Sequence, residues 1–217
     1  MYLMTCTRPD LAYPFSILAC YVAPGRHRPE HWEAAKRVLG YLCSTSGMGL
    51  VLGGWGPVVL TGHADASYVD DLAMQRLSQG YTFILGSGSV SWRSTHSSSV
   101  LISSCEAVIY AGAMAAQELR WLTYLVTDLG ERPRSSSVLY VDNKAMIALC
   151  QEHRTKHIAL CYFLAQELQQ RGQLRLAFVA TWANTANIFT KALQSGDHQR
   201  FCTVLCLVPT LPYLLSA

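Results

Sequence analysis

Apolar positions recur at helical spacing through residues 1–50, then change to short blocks separated by turn residues. In RPDLAYPFSILACYV, Pro9 and Asp10 sit where a helix starts, and the apolar residues fall on one face. RPEHWEAAKRVLGYLCSTSG repeats the scheme. Pro29 and Glu30 open it, Gly47 follows it, and Trp32, Ala35, Val38, Leu39 and Leu42 form its stripe. GGWGP at 53–57 reads as a loop and a boundary. VVLTGHA (58–64), GYTFILG (80–86) and SVSWRS (89–94) predict three strands, with GSG at 86–88 turning the chain between the second and third. A long helix follows over about 104–129, stopped by Gly130. SSVLYVD (136–142) predicts a short buried strand, NKAMIALCQ a short helix, and KHIALCYFLAQELQQRG a second helix closed by Gly172. QLRLAFVA (173–180) reads as a strand and NTANIFTKAL (184–193) as a final helix. The order is β-β-β-α-β-α-β-α, a mixed α/β domain behind a helical N-terminal piece.

Composition sharpens this only in part. Half of the 217 residues are apolar, enough for a real core, while charged residues are 14%, well below the roughly 25% of soluble domains. The net charge of +3, from 17 basic and 14 acidic residues, is too mild to demand a nucleic-acid partner. Most of the basic residues are arginine, which suits phosphate contacts. The eight cysteines contain no Cys-x-x-Cys pair and Met1 is not followed by a basic export region, so a reduced intracellular protein, cytoplasmic or nuclear, is expected. No apolar run reaches the roughly 18 residues of a membrane span. Trp32, Trp92 and Trp121 are expected in the core. The pairs His27/His31 and His153/His157 have a zinc-like spacing but no third ligand nearby.

The carboxylates carry the candidate chemistry. Asp65 closes the first predicted strand, Glu106 opens the long helix, and Asp142 closes the fourth strand. A mixed sheet can bring such element ends to one edge. Three converging carboxylates repel one another and need cations to stay ionised together. Two magnesium ions, with manganese as a substitute, are a fitting partner, because oxygen ligands suit them and a two-metal site clamps both oxygens of a phosphodiester displacement. Taken singly, each acid reads better as a structural residue, and Asp142 before NKAM as a simple helix cap. The tetrad YVDD (68–71) also matches a polymerase signature.

Several longer stretches resemble one family in order and spacing. MYLMTCTRPDLAY and HWEAAKRVLGYL look like the segment that follows the polymerase palm in copia-type retrotransposon polyproteins. GHADASYVDDLAMQRLSQGYTFILGSGSVSW, ISSCEAVIYAGAMAAQELRWL, LYVDNKAMIAL, RTKHI and NIFTKAL are similar to the ribonuclease H region of those polyproteins. In that register Tyr68 takes the tryptophan position of D-A-D-W, so YVDD is a chance string inside the first hairpin. The resemblance implies an α/β, ribonuclease H-like mixed five-stranded sheet flanked by helices over 55–200, a helical remnant of the reverse transcriptase over 1–54, and a tail over 201–217.

It also implies roles. Asp65, Glu106 and Asp142 stand at the catalytic, metal-binding acids, while the fourth acid of A-D-I-F-T-K is replaced by Asn187. An asparagine offers a carbonyl oxygen but no charge, so weaker binding of one metal is expected. Other departures are Ser67 for the second aspartate of D-A-D-W, Val108 and Ile109 around a helix glutamate, and Ala159 for an aspartate after RTKHI. Arg154, Lys156 and His157 are read as contacts to the nucleic-acid backbone. The implied activity is metal-dependent hydrolysis of the RNA strand of RNA–DNA hybrids, in a chain derived from a polyprotein with an upstream reverse transcriptase. The competing reading is a fragment without turnover that at most binds nucleic acid. Asn187 is the residue that separates the two.

Overall fold

The computed structural model describes residues 2–53, 59–68, 77–97, 104–131, 135–151 and 160–210. Three short helices come first: α1 (Tyr2–Cys6), a 3-10 turn (Pro9–Leu11) running into α2 (Ala12–Ala19), and α3 (Pro29–Ser44). Strand β1 (Met48–Leu50) follows. The α/β part holds β2 (Leu60–Tyr68), β3 (Leu77–Leu85), β4 (Gly88–His96), α4 (Ser104–Asp128), β5 (Ser137–Val141), α5 (Lys144–Gln151), α6 (Leu160–Gln170) and β6 (Leu174–Phe178). Two 3-10 turns (Thr181–Ala183 and Thr185–Phe189), α7 (Ser195–Val204) and β7 (Leu207–Pro209) complete the described chain.

The sheet is five-stranded, ordered β4-β3-β2-β5-β6. β2, β3 and β4 form an antiparallel meander, and β5 and β6 add in parallel to β2. This is the ribonuclease H-like α/β arrangement that the motifs imply. The β3–β4 hairpin turns at Gly86, whose φ of +65° is a conformation that glycine adopts without a Cβ clash. Helix α4 lies on the sheet through a stripe of buried Val108, Ala111, Ala115, Leu119, Leu122 and Val126, spaced three or four apart. Of this stripe, Val108, Ala115, Leu119 and Leu122 join Leu60, Ala64, Tyr81, Phe83, Leu139 and Val141 from the strands and Ala165 and Leu168 from α6 in the main core.

A second apolar cluster lies on the other face of the sheet. Tyr81 and Phe83 point into the main core, whereas the backbone of Gly80, one residue away, abuts Phe189. Around Phe189 gather Ala12, Ile188, Phe201, Cys202, Leu205 and Leu207, with Met4, Met48, Leu50 and Trp92 against them. Strand β1 pairs antiparallel with β7 through Met48↔Pro209, Gly49↔Val208 and Leu50↔Leu207. Within the stretch 201–217, α7 runs to Val204 and β7 spans Leu207–Pro209. The N-terminal helices share a core with the chain's last described elements.

Other expectations are corrected. The predicted helix 184–193 is a 3-10 turn over Thr185–Phe189, and the helix comes later, at Ser195–Val204. Asn184, Thr185, Asn187, Ile188 and Thr190 are all weak helix formers, and the Asn184 side chain accepts the Ala186 N–H at 3.2 Å to set a tight turn instead. The first strand runs to Tyr68, not to residue 64, because its antiparallel partner β3 keeps pairing with it down to Leu77. The stripe on α3 is not core: no residue of that helix is buried, and Trp32 is 66% exposed. Trp121 is also exposed, on the outer side of α4. Trp92 is part-buried and donates its indole N–H to the Met4 carbonyl at 2.7 Å.

Candidate active site

Strands β2 and β5 run parallel, and their last paired residues are Ala64 and Val141. The next residue after each is an aspartate, Asp65 and Asp142, so the topology seats them side by side at the ends of a parallel pairing whose backbones lie roughly 4.8 Å apart. Asp65 is 2% exposed and lies within β2, where pairing to β3 continues (Asp65↔Gly80). Asp142 is half-buried and follows the end of β5. It does not cap α5. The cap is the neighbouring Asn143, whose Oδ1 accepts the Met146 N–H at 3.1 Å.

Burial pushes the Asp65 carboxyl above the usual carboxylate range. The charge of Lys191 and a hydrogen bond from Thr190 pull against that rise, and the neighbouring Asp142 adds to it. Both opposing groups sit on the same oxygen. Thr190 Oγ1 donates to Asp65 Oδ2, and Lys191 Nζ stands 3.5 Å from it. They reach Asp65 because the Thr185–Phe189 turn is pinned to β2: Asn184, fully buried, donates its amide to the carbonyl of Ala64 at 2.9 Å.

Asn187 lies in that turn, 4% exposed. Its amide donates to the Thr181 carbonyl at 2.5 Å, while its Oδ1 is buried with no hydrogen-bond partner among the described residues. A buried, unsatisfied carbonyl oxygen is costly and suits a missing donor or cation. His63, two residues before Asp65 on the same face of β2, stacks on Tyr140 at 5.1 Å between ring centroids. Burial lowers its pKa to about 4, against a weaker opposing hydrogen bond with Asn184, so it is neutral at pH 7.

Glu106 is the third residue of α4, and its side chain lies outside the described residues. The backbone brings that helix start toward the same end of the sheet, since the Ala107 carbonyl lies 3.4 Å from the amide of Gln79, next to Gly80. Among the described residues no three acids, histidines or cysteines are grouped to hold a metal. The donor chemistry fits a hard divalent ion: two carboxylates on neighbouring strands and the buried Asn187 amide oxygen in the turn beside them. Arg154, Lys156 and His157, and the aspartates Asp70 and Asp71 of YVDD, lie outside the described residues. Sequence reasoning missed Asn184, Thr190, Lys191 and His63. Period-two alternation on β2 would have placed His63 with Asp65, and Thr190 and Lys191 were already in the NIFTKAL match.

No family model matches the chain. The retrovirus-related Pol polyprotein from transposon TNT 1-94 of Nicotiana tabacum is 34% identical over 198 residues, covering 89% of this chain. The chain belongs to the copia-type retrotransposon Pol family. It spans 14% of the length of that polyprotein. A secreted RxLR effector protein, number 161, of Plasmopara viticola is 43% identical over 123 residues, covering 57% of this chain and 85% of that protein. Among solved structures, the N-terminal RNase H domain of a Mycobacterium tuberculosis protein is 14% identical, with 67% of this chain and 97% of that chain covered and a TM-score of 0.45. This member of the Pol family carries the mixed, helix-flanked five-stranded sheet in the order β4-β3-β2-β5-β6. No helix among its described residues is long and apolar enough to cross a membrane.

Proposed function

We propose that this chain is a retrotransposon ribonuclease H that hydrolyses the RNA strand of RNA–DNA hybrids, with a site weakened at Asn187. The observation that carries the reading is the placement of Asp65 and Asp142 on adjacent parallel strands, with Asp65 buried and held by a cation. Asp65, Asp142 and Glu106 would hold divalent ions, magnesium in the first place, and Asn187 would offer its amide oxygen. When bound, such ions supply Lewis-acid stabilisation of the charge that develops on the scissile phosphate.

The chain's own residues set the geometry. Thr190 orients Asp65, and Asn184 fixes the turn that carries Thr190. Neutral His63 contributes a stacked, uncharged wall behind the carboxylate. Arg154, Lys156 and His157 would contact the phosphate backbone, and the hybrid would be recognised by shape, phosphates and 2′-hydroxyls. Residues 1–54 are read as the segment joining an upstream reverse transcriptase in the parent polyprotein.

A labelled hybrid incubated with magnesium or manganese tests this. Cleavage is expected for the chain and not for Asp65→Asn; equal rates sink the nuclease reading. The neutral Asn187 favours one second reading, a hybrid-binding domain without turnover. Asn187→Asp distinguishes them. It should raise cleavage about tenfold or more if the lost acid is the defect, because one added carboxylate strengthens a shared cation site by the order of one pH-unit equivalent. An unchanged rate counts against that account.

A further inference from the structure

We propose that Lys191 is a tethered counter-ion that occupies Asp65 in the absence of metal and competes with a divalent cation for that carboxylate. The inference deepens the nuclease reading and rests on it. The geometry places one ammonium and one hydroxyl on a single oxygen, Asp65 Oδ2, leaving the 2%-exposed carboxylate charge compensated by the chain itself. Lys191 is held at its backbone, where its N–H donates to the Asn187 carbonyl at 3.2 Å. Its side chain is one-third exposed. The head can thus leave for solvent while the turn stays in place, and Thr190 keeps its grip on Asp65 throughout.

An ammonium and a divalent ion on one carboxylate repel each other, so each weakens the other's hold on Asp65. The neutral Asn187 tilts the contest. With an aspartate at that position the turn would carry a second anion to draw the ammonium or the metal; here Asp65 is the carboxylate within reach of Lys191 among the described residues. Of the groups acting on Asp65, the Lys191 charge is the largest that opposes the effect of burial. The lysine therefore makes the metal-free chain stable at the expense of metal affinity. Its removal should have the reverse effect.

The test is manganese binding to the full chain, followed by electron paramagnetic resonance, together with thermal melting in EDTA and in excess magnesium. Lys191→Met should bind manganese about tenfold or more tightly, as expected when a like charge is removed from beside a ligand. It should also melt lower in EDTA and gain more from magnesium than the unaltered chain. Lys191→Arg should restore the original affinity, which a merely structural role of the side chain would not require. Lys191→Gln, which keeps a polar head, serves if the methionine variant does not fold. Manganese binding of equal strength in all four proteins overturns the role of Lys191 while leaving the metal site standing. No binding in any of them overturns the metal site itself.

Discussion

Replacing Asp10 by alanine strands a buried guanidinium. Arg8 and Asp10 are 5% and 2% exposed and form a two-pronged pair, with Arg8 Nε to Oδ1 at 3.0 Å and Nη2 to Oδ2 at 2.8 Å. Tyr41 of α3 donates its hydroxyl to the same carboxylate at 2.7 Å, and Arg8 also donates to the carbonyl and hydroxyl of Thr45 at 3.1 and 2.7 Å. Around this group burial holds the Cys202 thiol up at about 12, and the His198 ring of α7 packs edge-on against Tyr41 at 5.7 Å between centroids. Removing one partner of a buried ion pair costs about 3–5 kcal/mol. Arg8 keeps its two bonds to Thr45, so the lower end, about 3 kcal/mol, is expected, and for a chain of this length that lowers Tm by about 6–12 °C. Removing both charges, as Arg8→Met with Asp10→Leu, should restore stability to within about 1 kcal/mol, since apolar isosteres replace buried pairs without loss. Circular dichroism during thermal and urea unfolding reads both variants. A single transition shifted downward is expected, because α2 and α7 share one core. The reasoning is refuted if Asp10→Ala melts within about 2 °C of the unaltered chain, or if an early separate transition leaves the main one unmoved; the N-terminal helices would then be an independent appendage.

Gly80→Ala tests the seat of the Thr190 turn, because the new Cβ would stand 2.5 Å from Phe189 Cβ and 3.1 Å from the Arg93 carbonyl, atoms that are not flexible side-chain ends. A loss of about 1–3 kcal/mol is expected from such overpacking, with faster amide exchange at Thr190 and Lys191; unchanged exchange there would mean the turn is not held against β3. His63 sets a pH dependence. Its folded pKa of about 4 lies below the unfolded 6.5, so the unfolded state takes up a proton first and stability falls as pH drops from about 6.5 to 4, levelling below that. Each pH unit in that window is worth about 1.4 kcal/mol, so the loss totals about 3 kcal/mol. The raised pKa of Asp65 acts in the opposite direction on acidification and is present in both proteins compared. Subtracting the denaturation curves of His63→Leu should therefore isolate the histidine slope, and parallel curves for the two proteins would rule it out.

The local pattern of residues was sufficient for the long α4, whose stripe from Val108 to Val126 repeats at helical spacing, for the β3–β4 hairpin around Gly86, and for the order in which the acids occur. Helical and strand periodicities act between residues a few positions apart, so a single stretch carries them. The family match supplied what periodicity could not, namely that Asp65 and Asp142 belong together. Three-dimensional packing settled the rest. NTANIFTKAL has the length of a helix but folds as a tight turn, and the place of that turn is set by Asn184 reaching the Ala64 carbonyl, 120 positions earlier in the chain. RPDLAY reads as a helix start, yet Asp10 is an anion buried against Arg8 and Tyr41. The stripe on α3 reads as core, yet none of it is buried: Trp32 and Leu39 are exposed, and Ala35, Val38 and Leu42 are only partly covered. Thr190 and Lys191 meet Asp65 across about 125 residues of sequence. No local preference encodes such a contact, because burial, charge compensation and hydrogen-bond satisfaction are properties of the neighbours that folding assembles, not of the neighbours along the chain.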